Sequence, residues 1–189
     1  MTEKEKMLAG QLYFPGDDEL YTERTRCKDL CFDFNSTRPS NEDRLIELLG
    51  KIVGKMGVDA FITPPFNCDY GYNITLGKNF YANHNLVILD CAEVTFGDNV
   101  MIAPNCCFSA AKHPLDAETR NKWLEDSLPI KVGNNVWIGA NVTVLPGVTI
   151  GDNTVIGAGS TVTRDIPSGV VAFGSPCRVV RKIEQADGH

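Results

Sequence analysis

The chain has 189 residues, 43% hydrophobic and 22% charged, which fits one sizeable globular domain. Eighteen basic against twenty-four acidic residues leave a net charge of -6, excluding the broadly basic surface of a general nucleic-acid binder. No apolar run approaches membrane-spanning length, and the charged start "MTEKEKMLAG" is no secretion signal, so the expectation is a cytoplasmic protein with neither nucleic acid nor membrane as partner.

The first 57 residues read as a helical segment. Thr2 and Glu5 have capping-box spacing. Leu20, Cys27, Leu30, Cys31 and Phe34 fall on one helical stripe. Ser40 is placed to cap a third helix carrying Leu45, Ile46, Leu48, Leu49, Ile52 and Val53, with Gly54 and Gly57 at its exit. Such helices bury one face and predict a cover packed on the remainder of the chain. Seven cysteines without CxxC spacing read as reduced thiols, mostly small buried hydrophobes.

From residue 130 a six-residue period takes over. Val132, Ile138, Val144, Ile150, Ile156 and Val162 form one β-branched row, and glycine follows four of them. Ile130, Val136, Val142, Val148, Thr154 and Ser160 form a second row. Period six suits strand alternation with a turn per unit, three units making a triangular coil stacked at roughly 4.8 Å. Glycine and the Asn134, Asn135, Asp152 and Asn153 group are expected to supply positive φ at the corners. Upstream, Leu76, Ala82 and Ile88, then Phe96, Ile102 and Phe108, keep the period across a slip near Asp90. Residues 109–129 drop it, and Val132 returns in phase. The expected division is therefore a helical segment, 1–57, and a β-helix, 58–189, with an extruded loop at 109–129 and a C-terminal tail.

These repeats, together with "CDYGYNITLGKNFYAN", "ILD", "HPLD", "NNVWIG", "PGVTIGDN", "VIGAGS" and the leader "TEKEKMLAG", resemble the hexapeptide-repeat acyltransferases. Within them the sequence is most similar to the maltose and galactoside O-acetyltransferases. The resemblance implies a left-handed coil, against the usual right-handed crossover. It also implies a homotrimer with active sites between subunits, acetyl-CoA as co-substrate and no required metal.

Acetyl transfer to a sugar hydroxyl needs a base, oxyanion donors and a groove for the long cofactor. Histidine alone has an unperturbed pKa near neutrality, and His113 matches the family's catalytic base in its "HP" motif. Pro114 restricts the backbone of His113. The resemblance carries acceptor contact onto Asn83. Asp69 and Asp90 are further candidates, because carboxylates bond several sugar hydroxyls, the alternatives being a turn cap and a coil corner. Arg24 in the leader is another candidate, and Glu125 either orients His113 or is a solvated carboxylate. Galactoside-type relatives carry an acidic residue where this chain has Cys91. His84 stands where relatives carry an aromatic, either near the acceptor or packed as a ring. For acetyl-CoA the resemblance points to Ala140, Ala158, Thr163, Arg164, Arg178 and Arg181, with the Ala140 N–H as oxyanion donor.

The expected function is acetyl transfer to maltose, glucose or a related sugar. Its rivals are a xenobiotic or amino-acid acceptor, a zinc lyase on the same solenoid, and a non-catalytic scaffold. A zinc lyase needs about three converging histidines, and only His84 and His113 lie in the body of the chain. His189 is terminal.

Overall fold

The computed structural model describes residues 1–184, and His189 lies outside them. Three helices cover a left-handed parallel β-helix. Helix α1 (Glu3–Leu8) starts at Thr2, whose hydroxyl accepts the Glu5 N–H at 3.1 Å while the Glu5 carboxylate accepts the Thr2 N–H at 2.8 Å. Helix α2 (Asp18–Ser36) buries Leu20, Cys27, Cys31 and Phe34 on its predicted stripe. Helix α3 (Glu42–Ile52) buries Leu45, Leu48, Leu49 and Ile52 but leaves Ile46 exposed, because Ile46 points off the stripe. Its cap is Asn41, not Ser40. The helix begins at Glu42, so Ser40 stands one residue early and the Asn41 Oδ1 accepts the Arg44 N–H.

The solenoid is a three-sided prism. One face stacks Lys55–Met56, Ile74–Leu76, Val94–Phe96, Ile130–Val132 and Thr149–Ile150. The second stacks Phe61–Ile62, Tyr81–Ala82, Met101–Ile102, Trp137–Ile138 and Val155–Ile156, continues through Val170–Gly174, and ends on antiparallel Cys177–Lys182. The third stacks Phe66–Cys68, Leu86–Leu89, Cys107–Ser109, Thr143–Val144 and Thr161–Val162. Both predicted rows point inward and are buried, down to Thr154 and Ser160. Each large apolar side chain so buried contributes about 1.5–3 kcal/mol. The coils nearer the helices are filled by larger rings, with Phe96 packed between Phe80, tilted at 5.0 Å, and Phe108, edge-on at 4.9 Å.

The corner chemistry meets the expectation at Asn135 and Asn153 and departs from it at Asn134, Asp152 and the row glycines. Positive φ belongs to Asn79, Asn99, Asn135 and Asn153 on the first–second edge, and to Asn85, Asn105 and Asn141 on the second–third edge. The row glycines do not have it. They are needed because coils stack backbone on backbone: a Cβ on Gly77 would lie 2.2 Å from the Gly97 carbonyl oxygen. The corner asparagines form a ladder, with Asn79, Asn99 and Asn135 each donating to the next at 2.9–3.0 Å.

Ser109 and Ala110 still pair with Leu89, and beyond them the chain leaves the coil as a short antiparallel pair, Ala111–Lys112 with Asp126–Ser127, closed by the single-turn helix α4 (Ala117–Arg120). The chain re-enters in phase, since Val132 pairs with Phe96 and Val144 with Phe108. The excursion interrupts the sequence repeat without shifting the stack.

Candidate active site

The third–first edge gathers most of the unusual side chains. His113 sits on the excursion with its side chain 56% exposed. Its Nδ1 lies 3.4 Å from the Leu124 carbonyl oxygen. A carbonyl only accepts, so this bond requires the proton on Nδ1 and leaves the Nε2 lone pair available. Nε2 is 3.9 Å from Glu125 Oε2, close enough for charge stabilisation and too far for a direct hydrogen bond.

Glu125 is held from the leader. The buried Tyr13 hydroxyl donates to Glu125 Oε1, and the two backbones exchange hydrogen bonds at 3.0 and 3.1 Å. Burial pushes the Glu125 carboxyl above its ordinary pKa, with the Tyr13 bond and the His113 charge opposing. Burial also holds Tyr13 protonated far above the usual phenol value, so it stays a donor. Tyr13 was not legible in the sequence, because no local pattern announces a partner 112 residues away.

Around this pair lie the other acidic candidates. Asp69 is half-buried, and burial raises its pKa while Lys28 and Arg24 pull it down. Arg24 donates to the Tyr70 hydroxyl at 2.7 Å. Asp90 is wholly buried, and its carboxylate accepts N–H bonds from Asp69 at 3.1 Å, Tyr70 at 2.9 Å and Asn73 at 3.4 Å. Asp90 has no exposed surface, and these bonds shape the turn that presents Asp69. Burial, reinforced by the Asp69 charge, lifts its pKa to about 6 against its N–H partners. Cys91 is also buried, packed in a small cluster with Tyr13 and Tyr70.

Most of the remaining candidates lie elsewhere. Asn83, Ala140 and Ala158 stack on the second–third edge, across the strands of the third face from His113. The Leu86–Leu89 strand alone puts on the order of 13 Å between those edges at ~3.3 Å per residue. Asn83 Oδ1 accepts the His84 N–H at 2.7 Å. His84 is exposed, with Nδ1 at 2.5 Å from the Pro64 carbonyl oxygen, and lines a groove against α2 and α3. It is therefore not packed as a buried ring. Thr163 and Arg164 stand exposed at the third–first edge, whereas Arg178 and Arg181 project from the terminal strand. Small residues dominate near Ala140: a Cβ on Gly139 would fall 2.5 Å from the Ala158 nitrogen, and one on Gly159 would meet open space.

Residues 6–57 match the maltose acetyltransferase hexapeptide capping motif, and residues 129–164 match six bacterial transferase hexapeptide repeats. The chain is 48% identical to the galactoside O-acetyltransferase of Escherichia coli (strain K12), covering 98% of this chain and 91% of that protein. It belongs to the maltose and galactoside O-acetyltransferase family. The maltose O-acetyltransferase of Clostridium difficile 630 superposes with a TM-score of 0.96 at 49% identity, over 98% of this chain and 99% of that one. A galactoside acetyltransferase in complex with coenzyme A gives 0.96 at 48% identity, over 100% and 94%. As a member of this family, the chain is an acyltransferase. Among the described residues no helix is long and apolar enough to cross a membrane.

Proposed function

We propose that this chain transfers the acetyl group of acetyl-CoA directly to a hydroxyl of maltose, glucose or a related sugar, with His113 as general base. The observation that carries this reading is the state of His113. Its Nδ1 is committed to a carbonyl, its Nε2 is free, and a half-buried carboxylate waits beside that nitrogen.

Acetyl-CoA supplies an acyl group already activated as a thioester. His113 Nε2 takes the proton of the acceptor hydroxyl as the new ester bond forms, and returns it to the departing sulfur. Glu125 stabilises the imidazolium in between. The Ala140 N–H donates to the oxyanion, and the small residues of that edge let pantetheine approach the backbone. Thr163, Arg164, Arg178 and Arg181 hold the cofactor, the arginines matching its phosphates. Asn83, Asp69 and Arg24 contact the sugar.

This assignment needs more than one copy of the chain. A base more than half exposed cannot exclude water, and Asn83 and Ala140 lie on a different edge from His113. A ring of three copies brings the third–first edge of each against the second–third edge of the next, as in a homotrimer. Exposed apolar side chains suit such contact: Tyr81, Met101 and Trp137 in register on the second face, and Leu115 and Trp123 on the excursion. The acidic net charge of -6 fits a cytoplasmic location.

Acetyl-CoA consumption across a panel of sugars, wild type against His113→Ala, tests the reading. Loss of sugar-dependent turnover is expected. An unchanged rate in the variant overturns the mechanism.

A further inference from the structure

Three cysteines meet where the helical cover joins the first coil. Cys27 and Cys31 stand four apart on α2, and therefore on one face of it. Cys68 ends the Phe66–Cys68 strand beneath them. Its Sγ lies 3.5 Å from Cys27 Sγ and 3.8 Å from Cys31 Sγ, and all three sulfurs lie within 4.8 Å of one another. All three residues are buried. Acetyl transfer by His113 makes no use of them.

From this geometry we infer a binding site for a soft, low-coordinate metal ion, Cu(I), held by the three sulfurs of Cys27, Cys31 and Cys68. Size favours a metal over a disulfide. Metal–thiolate bonds of about 2.3 Å place the sulfurs of a trigonal site about 4 Å apart, close to what is present. A disulfide would require one pair to close to about 2.05 Å. Softness selects the ion, since thiolates favour Cu(I) over hard cations. Structural zinc prefers four protein ligands, and the cluster offers three.

A groove borders the cluster. Cys27 lines a groove of about 230 Å³ together with Glu23, Arg26, Leu30, Tyr70 and Tyr72. That groove is the route by which we infer a small ion enters. Binding displaces the thiol protons to solvent as metal–sulfur bonds form, with no change in redox state. The bound ion would pin α2 to the first coil, raising thermal stability.

Anaerobic titration of the full chain with Cu(I), under competition from a chromophoric Cu(I) chelator, tests this. One equivalent retained per chain is expected, with a higher melting temperature. Cys68→Ala and Cys31→Ala should lose both effects, while Cys107→Ala, outside the cluster, should keep them. Alkylation of the wild type mapped by mass spectrometry needs no variant: copper should shield Cys27, Cys31 and Cys68 and leave the other four cysteines unchanged. Equal copper retention by folded Cys68→Ala, or no selective shielding in the wild type, overturns the site.

Discussion

Two edges of the same prism handle polar side chains in opposite ways. On the first–second edge, asparagines with positive φ repeat coil after coil and donate to one another. That ladder fixes the corners and turns the amides of its members toward one another. The third–first edge has no such repeat. There the chain turns through 69–73, slips at Asp90 and departs at 109–129, which leaves Asp69, His113 and Glu125 with partners that do not exhaust them. A regular solenoid corner absorbs polar groups into its own stacking, and chemistry collects where the stacking is interrupted.

The largest test of this contrast is His113→Ala. Removal of a general base should lower kcat by about 10²–10⁴-fold while leaving the melting temperature unchanged, since the side chain is largely exposed. Mixing inactive His113→Ala and Asn83→Ala chains, unfolded and reassembled together, asks whether the two edges of different copies share a site. Random assembly should restore about a quarter of wild-type activity if they do. No recovery, with trimers verified by mass, places both residues in one subunit and sinks the split-site reading.

Gly77→Ala probes the ladder edge. Its new Cβ would meet the Gly97 carbonyl at 2.2–2.4 Å, and backbone cannot move aside cheaply. A loss of about 2–4 kcal/mol of stability is expected from chemical denaturation, with kcat per folded chain preserved. An equal loss of kcat would mean that the two edges are not separable.

Asp90 links fold and site, and its charge should tell in the pH dependence of stability. Its folded pKa of about 6 lies above the ~3.9 of an unfolded aspartate, so the native state holds the proton more tightly. The stability it contributes is complete below about pH 4 and is lost as pH rises through about 6. The unfolding free energy of wild type minus that of Asp90→Asn should fall by roughly 2–3 kcal/mol between those limits. A difference that grows with pH would show its three N–H partners outweighing burial.

The same contrast explains what could be read in advance. Inward rows such as Val132 to Val162 announce themselves because every sixth residue meets the same apolar interior. His113 was visible because it sits where that rule lapses. The glycine row was visible too, but its reason was not: tight stacking and positive φ both select glycine, and only the backbone distinguishes them. Pairings across the fold left no trace. Tyr13 meets Glu125 over 112 residues, and Cys68 completes the cysteine cluster 37 residues after Cys31, whose spacing from Cys27 reads as an ordinary helical stripe.

The smallest effect expected is that of Glu125→Gln, and it separates positioning from structure. Gln keeps an oxygen for the Tyr13 hydroxyl and can preserve the strap between leader and excursion, so the melting temperature should stay unchanged. What it loses is the negative charge 3.9 Å from His113 Nε2, which matters only while the imidazole holds the acceptor's proton. A roughly tenfold lower kcat with an unchanged KM for the sugar is expected, corresponding to about 1.4 kcal/mol at the transition state. The pH profile gives the sign. Because burial raises the Glu125 pKa, lowering the pH neutralises that carboxylate sooner than an exposed one, and wild type loses its advantage as it does. The ratio of wild-type to Glu125→Gln activity should therefore shrink toward acid. A ratio independent of pH would make Glu125 a strut for the excursion and nothing more.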